Sequence, residues 1–189
     1  MHRSATEGHR LLISAPYGRD AESMAALFRG DGYDVALCPT LVEVAAAMDE
    51  HVGAILLTEE ALAADLGPLH RALEAQPRWS DVPFILLAGR QAGRREPTEA
   101  IRRRLPESAI NVVLLERPLS SESLMSAVSS AMRARQKQFE IRDRIAELDA
   151  ERVRLNTLLD SIPVGVAFVN PDGSALMTNG DVDGAIRQF

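Results

Sequence analysis

The stretch from Ser120 to Ile162 contains neither glycine nor proline. A run of that length without a helix breaker constrains the fold more than any other feature of the chain. Leu124, Ala127, Ala131, Ala134, Ile141, Ile145, Leu148, Leu155, Leu159 and Ile162 recur at alternating steps of three and four, and Gln138 and Arg152 fill the remaining slots. That is a heptad pattern. A single helix of this length reaches roughly 64 Å at 1.5 Å per residue, more than a small domain can cover. The first half is alanine-rich and suited to packing on a domain. From Ile141 onward the seam residues are larger, as a helix dimer requires. The pattern predicts a homodimer through Ile141, Ile145, Leu148, Arg152, Leu155 and Leu159, with Gln138 and Arg152 weakening the seam while fixing its register. Parallel pairing is the expected arrangement, and the pattern leaves antiparallel pairing open. The competing reading is a surface helix folded back on its own domain.

The chain has 189 residues, enough for one domain with extensions, and its 46% apolar content is ample for a core. A net charge of −6 gives no general attraction to nucleic acid or to an anionic membrane. Cys38 is the only cysteine, so an intramolecular disulfide or a cysteine zinc cluster is excluded. His2, His9, His51 and His70 share no metal-ligand spacing. No apolar run has the length of a membrane span and no signal peptide is visible. The expectations are therefore a cytoplasmic location, no cofactor, no metal, no nucleic-acid partner and no membrane segment in this chain.

Ahead of the long helix, apolar runs alternate with helical patterns. Leu11-Leu-Ile13 reads as a buried strand. Asp20 to Arg29 has helical spacing and stops at Gly30-Asp-Gly32. Tyr33 to Cys38 alternates like an edge strand. Thr40-Leu-Val-Glu43 has the spacing of a capping box and opens a helix. Gly53 to Leu57 is apolar throughout, as in the centre of a parallel sheet. Gly67-Pro68 starts a helix with proline at its first position. Val82 to Leu87 is a further buried strand, Pro97 to Leu105 a short helix, and Asn111 to Leu115 a fifth strand. This alternation predicts an α/β fold, a flavodoxin-like five-stranded parallel sheet in the order 2-1-3-4-5 with the long C-terminal helix and a short β-hairpin after it. The expected boundaries are a flexible N-terminus (1–9), a sheet domain (10–119), the long helix (120–162) and the hairpin (163–189). In such a sheet the chemistry lies at the carboxyl ends of strands one, three, four and five.

The layout of residues 10 to 135 resembles the receiver domain of two-component response regulators. Leu11-Leu-Ile-Ser-Ala-Pro16 is similar to the family's first strand, Gly53-Ala-Ile-Leu-Leu-Thr58 to its third, and Arg117-Pro118 stands where the family has Lys-Pro. The resemblance implies a phosphorylation pocket, and this sequence departs from its pattern. The family's acidic magnesium-binding pair aligns with Ala15 and Pro16, its phosphoacceptor aspartate with Thr58, and its hydroxyl residue with Ala88. Magnesium prefers carboxylate oxygens, and a threonine hydroxyl is a weak nucleophile without an activating base. The pocket formed by Ala15, Pro16, Thr58, Glu59, Ala88 and Arg117 is thus expected to be a degenerate phosphorylation site with no catalytic residue. A one-residue slip puts Glu59 in the pocket, where it either pairs with Arg117 as a mimic of the charged state or faces solvent.

Arg90, Arg94, Arg95, Arg102, Arg103 and Arg104 cluster between the fourth and fifth strands, diluted by Glu96, Glu99 and Glu107, and read as a solvated face. Trp79 is expected to pack across a helix end. The tail, Leu158-Leu-Asp-Ser-Ile-Pro-Val-Gly165 followed by a strand, Asn170-Pro-Asp-Gly173 and a second strand, resembles the opening of a PAS sensory domain. A complete domain of that kind takes about a hundred residues, so the tail reads as a hairpin remnant or as the start of a longer protein. Together these resemblances imply a non-catalytic receiver-like module with a protein partner, in the N-terminal sensory part of a histidine kinase. The alternatives are a phosphoacceptor using Thr58 or Glu59-Glu60 unconventionally, a small-molecule module and a DNA-binding adaptor.

Overall fold

The computed structural model describes residues 8–89, 102–161, 167–171 and 175–178. The chain divides into two compact units, Met1–Glu140 and Ile141–Phe189. The first contains β1 (Arg10–Ser14), α1 (Asp20–Gly30), β2 (Asp34–Leu37), α2 (Leu41–Ala47), β3 (Val52–Thr58), a 3-10 helix (Glu59–Ala63), α3 (Gly67–Glu74), β4 (Phe84–Ala88) and β5 (Val112–Glu116). Helix α4 (Ser121–Asp160) begins in this unit and ends in the second. Most of the helix predicted over Pro97 to Leu105 lies outside the described residues.

All pairings in the five-stranded sheet are parallel and the order is β2-β1-β3-β4-β5, as the alternation of elements predicts. Every residue of β3 and β4 is buried, because helices cover both faces and a polar side chain would lose its water on either one. The two-residue pleat sends Leu12, Ile55 and Leu57 to the core beneath α2 and α3, and Ile13, Leu56 and Leu87 to the core beneath α1 and α4. Each fully buried aliphatic side chain contributes about 1.5–3 kcal/mol relative to exposure. At the start of α2, the Thr40 hydroxyl accepts from the Glu43 N–H at 3.2 Å and donates to the Glu43 carboxylate at 2.9 Å. The predicted capping box is therefore closed through side chains on its return leg, and not through the Thr40 backbone.

The first half of α4 packs on the sheet, as its alanine-rich sequence suggests, through a stripe that shares Leu124 and Ala131 with the heptad positions and otherwise departs from them. The buried positions are Leu124, Val128, Ala131, Met132, Arg135 and Phe139, whereas Ala134 is exposed. Arg135 is fully buried. Its Nε donates to the Val52 carbonyl at 3.0 Å and its Nη1 to Gln138 Oε1 at 2.6 Å. Its guanidinium lies 4.6 Å from the Phe139 ring centroid and 5.2 Å from that of Trp79. A cation over an aromatic face is attracted by the ring quadrupole. Trp79 in turn packs on Phe139 at 5.7 Å. It therefore meets the middle of a helix, where a helix end was expected. Gln138 donates to the Asp81 carbonyl at 2.7 Å and accepts from the Asp81 N–H at 3.0 Å. The predicted seam position Gln138 thus serves the sheet domain. Gly53 completes this end of the sheet: a Cβ there would sit 2.1 Å from the Gly8 carbonyl oxygen and 2.4 Å from Met132 Sδ, so only glycine fits.

In the second unit, Ile141, Ile145, Leu148 and Leu155 are half-exposed or more, and Leu159 is partly buried. Arg144 pairs with Glu147 along the helix at 2.7 Å. β6 (Ala167–Val169) and β7 (Ala175–Thr178) pair antiparallel with Phe168 opposite Met177, the hairpin the tail predicts. Asp172 and Gly173 of its turn lie outside the described residues. No helix among the described residues is long and apolar enough to cross a membrane.

Candidate functional site

The parallel register brings four strand ends to one edge of the sheet. Ser14 pairs with Leu57, Thr58 with Leu87, and Ala88 with Glu116. Ala15, Thr58 and Ala88 are buried at these ends and Pro16 is exposed. Arg117 follows β5 directly and leads through Pro118 and Leu119 to the root of α4, where Ser120 caps the helix by accepting from the Ser123 N–H at 3.1 Å.

The sequence leaves Glu59 either paired with Arg117 or facing solvent, and the structure shows neither. Arg117 Nη2 is bonded to the carboxylate of Glu60, and Nη1 lies 3.4 Å from Asp20 Oδ2 at the start of α1. Glu59 instead accepts from the Gly89 N–H at 2.9 Å and lies 3.8 Å from Arg104. Nor does Glu59 face solvent, because its side chain is only 18% exposed. The cause is the 3-10 helix that follows β3. It advances about 120° per residue, so consecutive glutamates point to different partners. The sequence names Glu60 only within an alternative phosphoacceptor and Arg104 only within a solvated arginine face, and it assigns Asp20 and Gly89 no part in these pairings. The Glu59-Glu60 doublet directly after a buried strand was the available signal, but an extended reading of the loop aims the wrong one.

The Glu60 carboxyl is held below the usual glutamate range. Burial works in the opposite direction and is the largest single influence; the backbone N–H of Glu60, the Arg117 guanidinium and the Thr58 hydroxyl together outweigh it. Thr58 is 2% exposed, and its hydroxyl helps to lower the neighbouring Glu60 carboxyl. Among the described residues no group of three or more His, Cys, Asp or Glu side chains is arranged to hold a metal ion. Beside the pair, a cleft of about 790 Å³ runs between α1 and the root of α4, lined by Asp20, Met24, Leu27, Arg117, Leu119 and Leu124. Within the arginine cluster, Arg104 faces Glu59 and Arg102 donates to the Ile110 carbonyl at 3.5 Å; Arg90, Arg94 and Arg95 lie outside the described residues.

Neither a protein-family model nor a curated protein matches this sequence. Solved structures do. NtrX from Brucella abortus in complex with ADP superposes with a TM-score of 0.53 at 17% identity, over 71% of this chain and 28% of that one. A response regulator receiver domain protein from Clostridium thermocellum matches at 0.52 and 14%, over 67% and 96%. A trimeric coiled-coil segment of yeast Spc42, fused to another structure, matches at 0.53 and 19%, over 79% and 95%. The chain thus spans little more than a quarter of NtrX. At these identities the likeness is one of fold: the chain has the flavodoxin-like fold of receiver domains.

The depressed Glu60 value sets a pH dependence. A carboxylate whose folded-state pKa is the lower one stabilises the fold above the unfolded value, and that contribution is lost as pH falls through the folded value. Urea midpoints should fall as the pH drops from about 5, and Glu60→Gln should flatten that fall. An unchanged slope in the variant would mean that Glu60 is not linked to folding.

Proposed function

We propose that this chain is a receiver-like signalling and dimerisation module of a two-component system that is not phosphorylated by aspartate chemistry. The supporting observation is the state of its strand-end pocket. A receiver site takes a phosphoryl group on a carboxylate beside a divalent cation, and the cation offsets the charge that develops in transfer. Here Thr58 stands at the end of β3, Ala15 and Pro16 at the end of β1, and Arg117 is already ion-paired with Glu60 and Asp20. The chain performs no catalysis in this reading and works as an interaction element in the cytoplasm.

The stripe through the exposed Ile141, Ile145, Leu148, Arg152 and Leu155 and the partly buried Leu159 is the homodimer seam, and the trimeric coiled-coil fusion among the similar folds supports association of chains in general. The β6–β7 hairpin is the opening of a PAS domain, and the series of elements belongs to the N-terminal sensory part of a histidine kinase. A protein partner acting on the sheet domain changes how Leu124, Val128 and Met132 pack, and the long helix passes the change on. Such a device needs two packings only a few kcal/mol apart.

Titrating magnesium with and without beryllofluoride, while recording amide shifts at Thr58 and Arg117, should give no saturable change up to the low-millimolar range. Saturable shifts that need both components would restore the phosphoacceptor alternative. For the seam, Ile145→Asp with Leu148→Asp puts charge into a desolvated interface at a cost of several kcal/mol. Light scattering should report a dimer for the parent chain and a monomer with an intact sheet domain for the variant. A parent chain that is monomeric at micromolar concentration would remove the dimer from this account.

A further inference from the structure

We propose that Glu59 and Glu60 are a built-in anion: they occupy, from within the chain, a latent oxyanion site made by the Arg117 guanidinium and the Gly89 N–H, and so latch the root of α4 to the end of β3. This rests on the reading of the pocket as a receiver site without aspartate chemistry, and it names what fills that site.

Both donors are engaged by consecutive residues of one 3-10 helix. Glu60 holds Arg117 Nη2, and Glu59 Oε2 accepts from Gly89 N at 2.9 Å. A tethered carboxylate binds without the entropy cost of capturing a free ion. Local charge then excludes a competitor. Among the described residues Asp20, Glu59 and Glu60 face Arg104 and Arg117, which leaves an excess of negative charge at the edge. A phosphate or sulfate ion is repelled while both glutamates are ionised, although the site has the donors to hold one. The Nε–H of Arg117 is buried without an acceptor among the described residues. If Nη2 were released, Nε and Nη2 would present the fork that takes two oxyanion oxygens side by side. The latch also bears on the helix. Arg117 is three residues from the Ser120 cap, and its second partner, Asp20, belongs to α1. Glu60 therefore joins the end of β3 to the β5–α4 connection, which fixes where α4 begins.

The test uses the full chain and inorganic phosphate, without magnesium. A metal-dependent phosphoacceptor, which would overturn the reading above, gives no signal under these conditions, so the two failures are distinguishable. The parent chain, Glu60→Gln and the double variant Glu59→Gln with Glu60→Gln are titrated while the Gly89 amide and the Arg117 Nε–H resonances are followed. The parent should show no saturable shift. The double variant should bind phosphate at low-millimolar concentration, at least about tenfold tighter than the parent, and Glu60→Gln should fall between them. Adding Arg117→Gln to the double variant should abolish the binding. Saturable phosphate binding by the parent would show that the donors are not occupied. Failure of either folded glutamate variant to bind would show that no latent oxyanion site exists; if the double variant does not fold, the single variant and the parent decide.

Discussion

A guanidinium at the partly desolvated edge of a sheet must be compensated, and the arrangement of this chain's functional end follows from how Arg117 is satisfied. Its two carboxylate partners come from the 3-10 helix after β3 and from the first residue of α1. Three elements far apart in sequence are thereby fixed around one cation. The pairing is partly exposed, so its contribution to stability is modest. Its consequence is geometric: it sets the entrance to α4 and engages Arg117 with the chain's own carboxylates.

The opposite end of the sheet holds the same helix by different physics. Arg135 is fully buried, and its donors reach the Val52 carbonyl and Gln138 while its plane lies over Phe139 and Trp79. Removing one partner from such a set leaves a buried polar group unmade, which costs about 1–3 kcal/mol or more for a charged one. Truncating a buried ring such as Phe139 costs about 3–5 kcal/mol. The first half of α4 is thus pinned at its root by charge and at its middle by a buried arginine between aromatic rings. Under the proposed function, a signal that reaches the second half of the helix has to pass through these two fixed points.

The sheet was legible in the sequence because burial on both faces leaves an unbroken apolar signature. The runs Gly53 to Leu57 and Val82 to Leu87 have no polar residue for solvent to reach, and the elements between them set the parallel order. The docking face of α4 was less legible. A helix lying on a sheet and a helix in a coiled coil both repeat every three to four residues, so the heptad placed Ala134 and Gln138 on the seam. The sheet buries Leu124, Val128, Ala131, Met132, Arg135 and Phe139, following a straight helix of 3.6 residues per turn. A buried arginine has no signature in periodicity at all. At the strand ends the identities of Ala15, Thr58, Ala88 and Arg117 were readable from position alone. Which glutamate meets Arg117 was not, because it depends on the 3-10 geometry of a short connection and not on composition.

The central claim is that the strand-end pocket is filled by the chain's own glutamates and performs no phosphoryl transfer. Incubating the intact chain with acetyl phosphate and magnesium, then measuring its mass, tests that claim most directly. The account predicts an unchanged mass under conditions that phosphorylate an ordinary receiver domain run alongside. A stoichiometric phosphoryl adduct mapped to Thr58, Glu59 or Glu60 would contradict it.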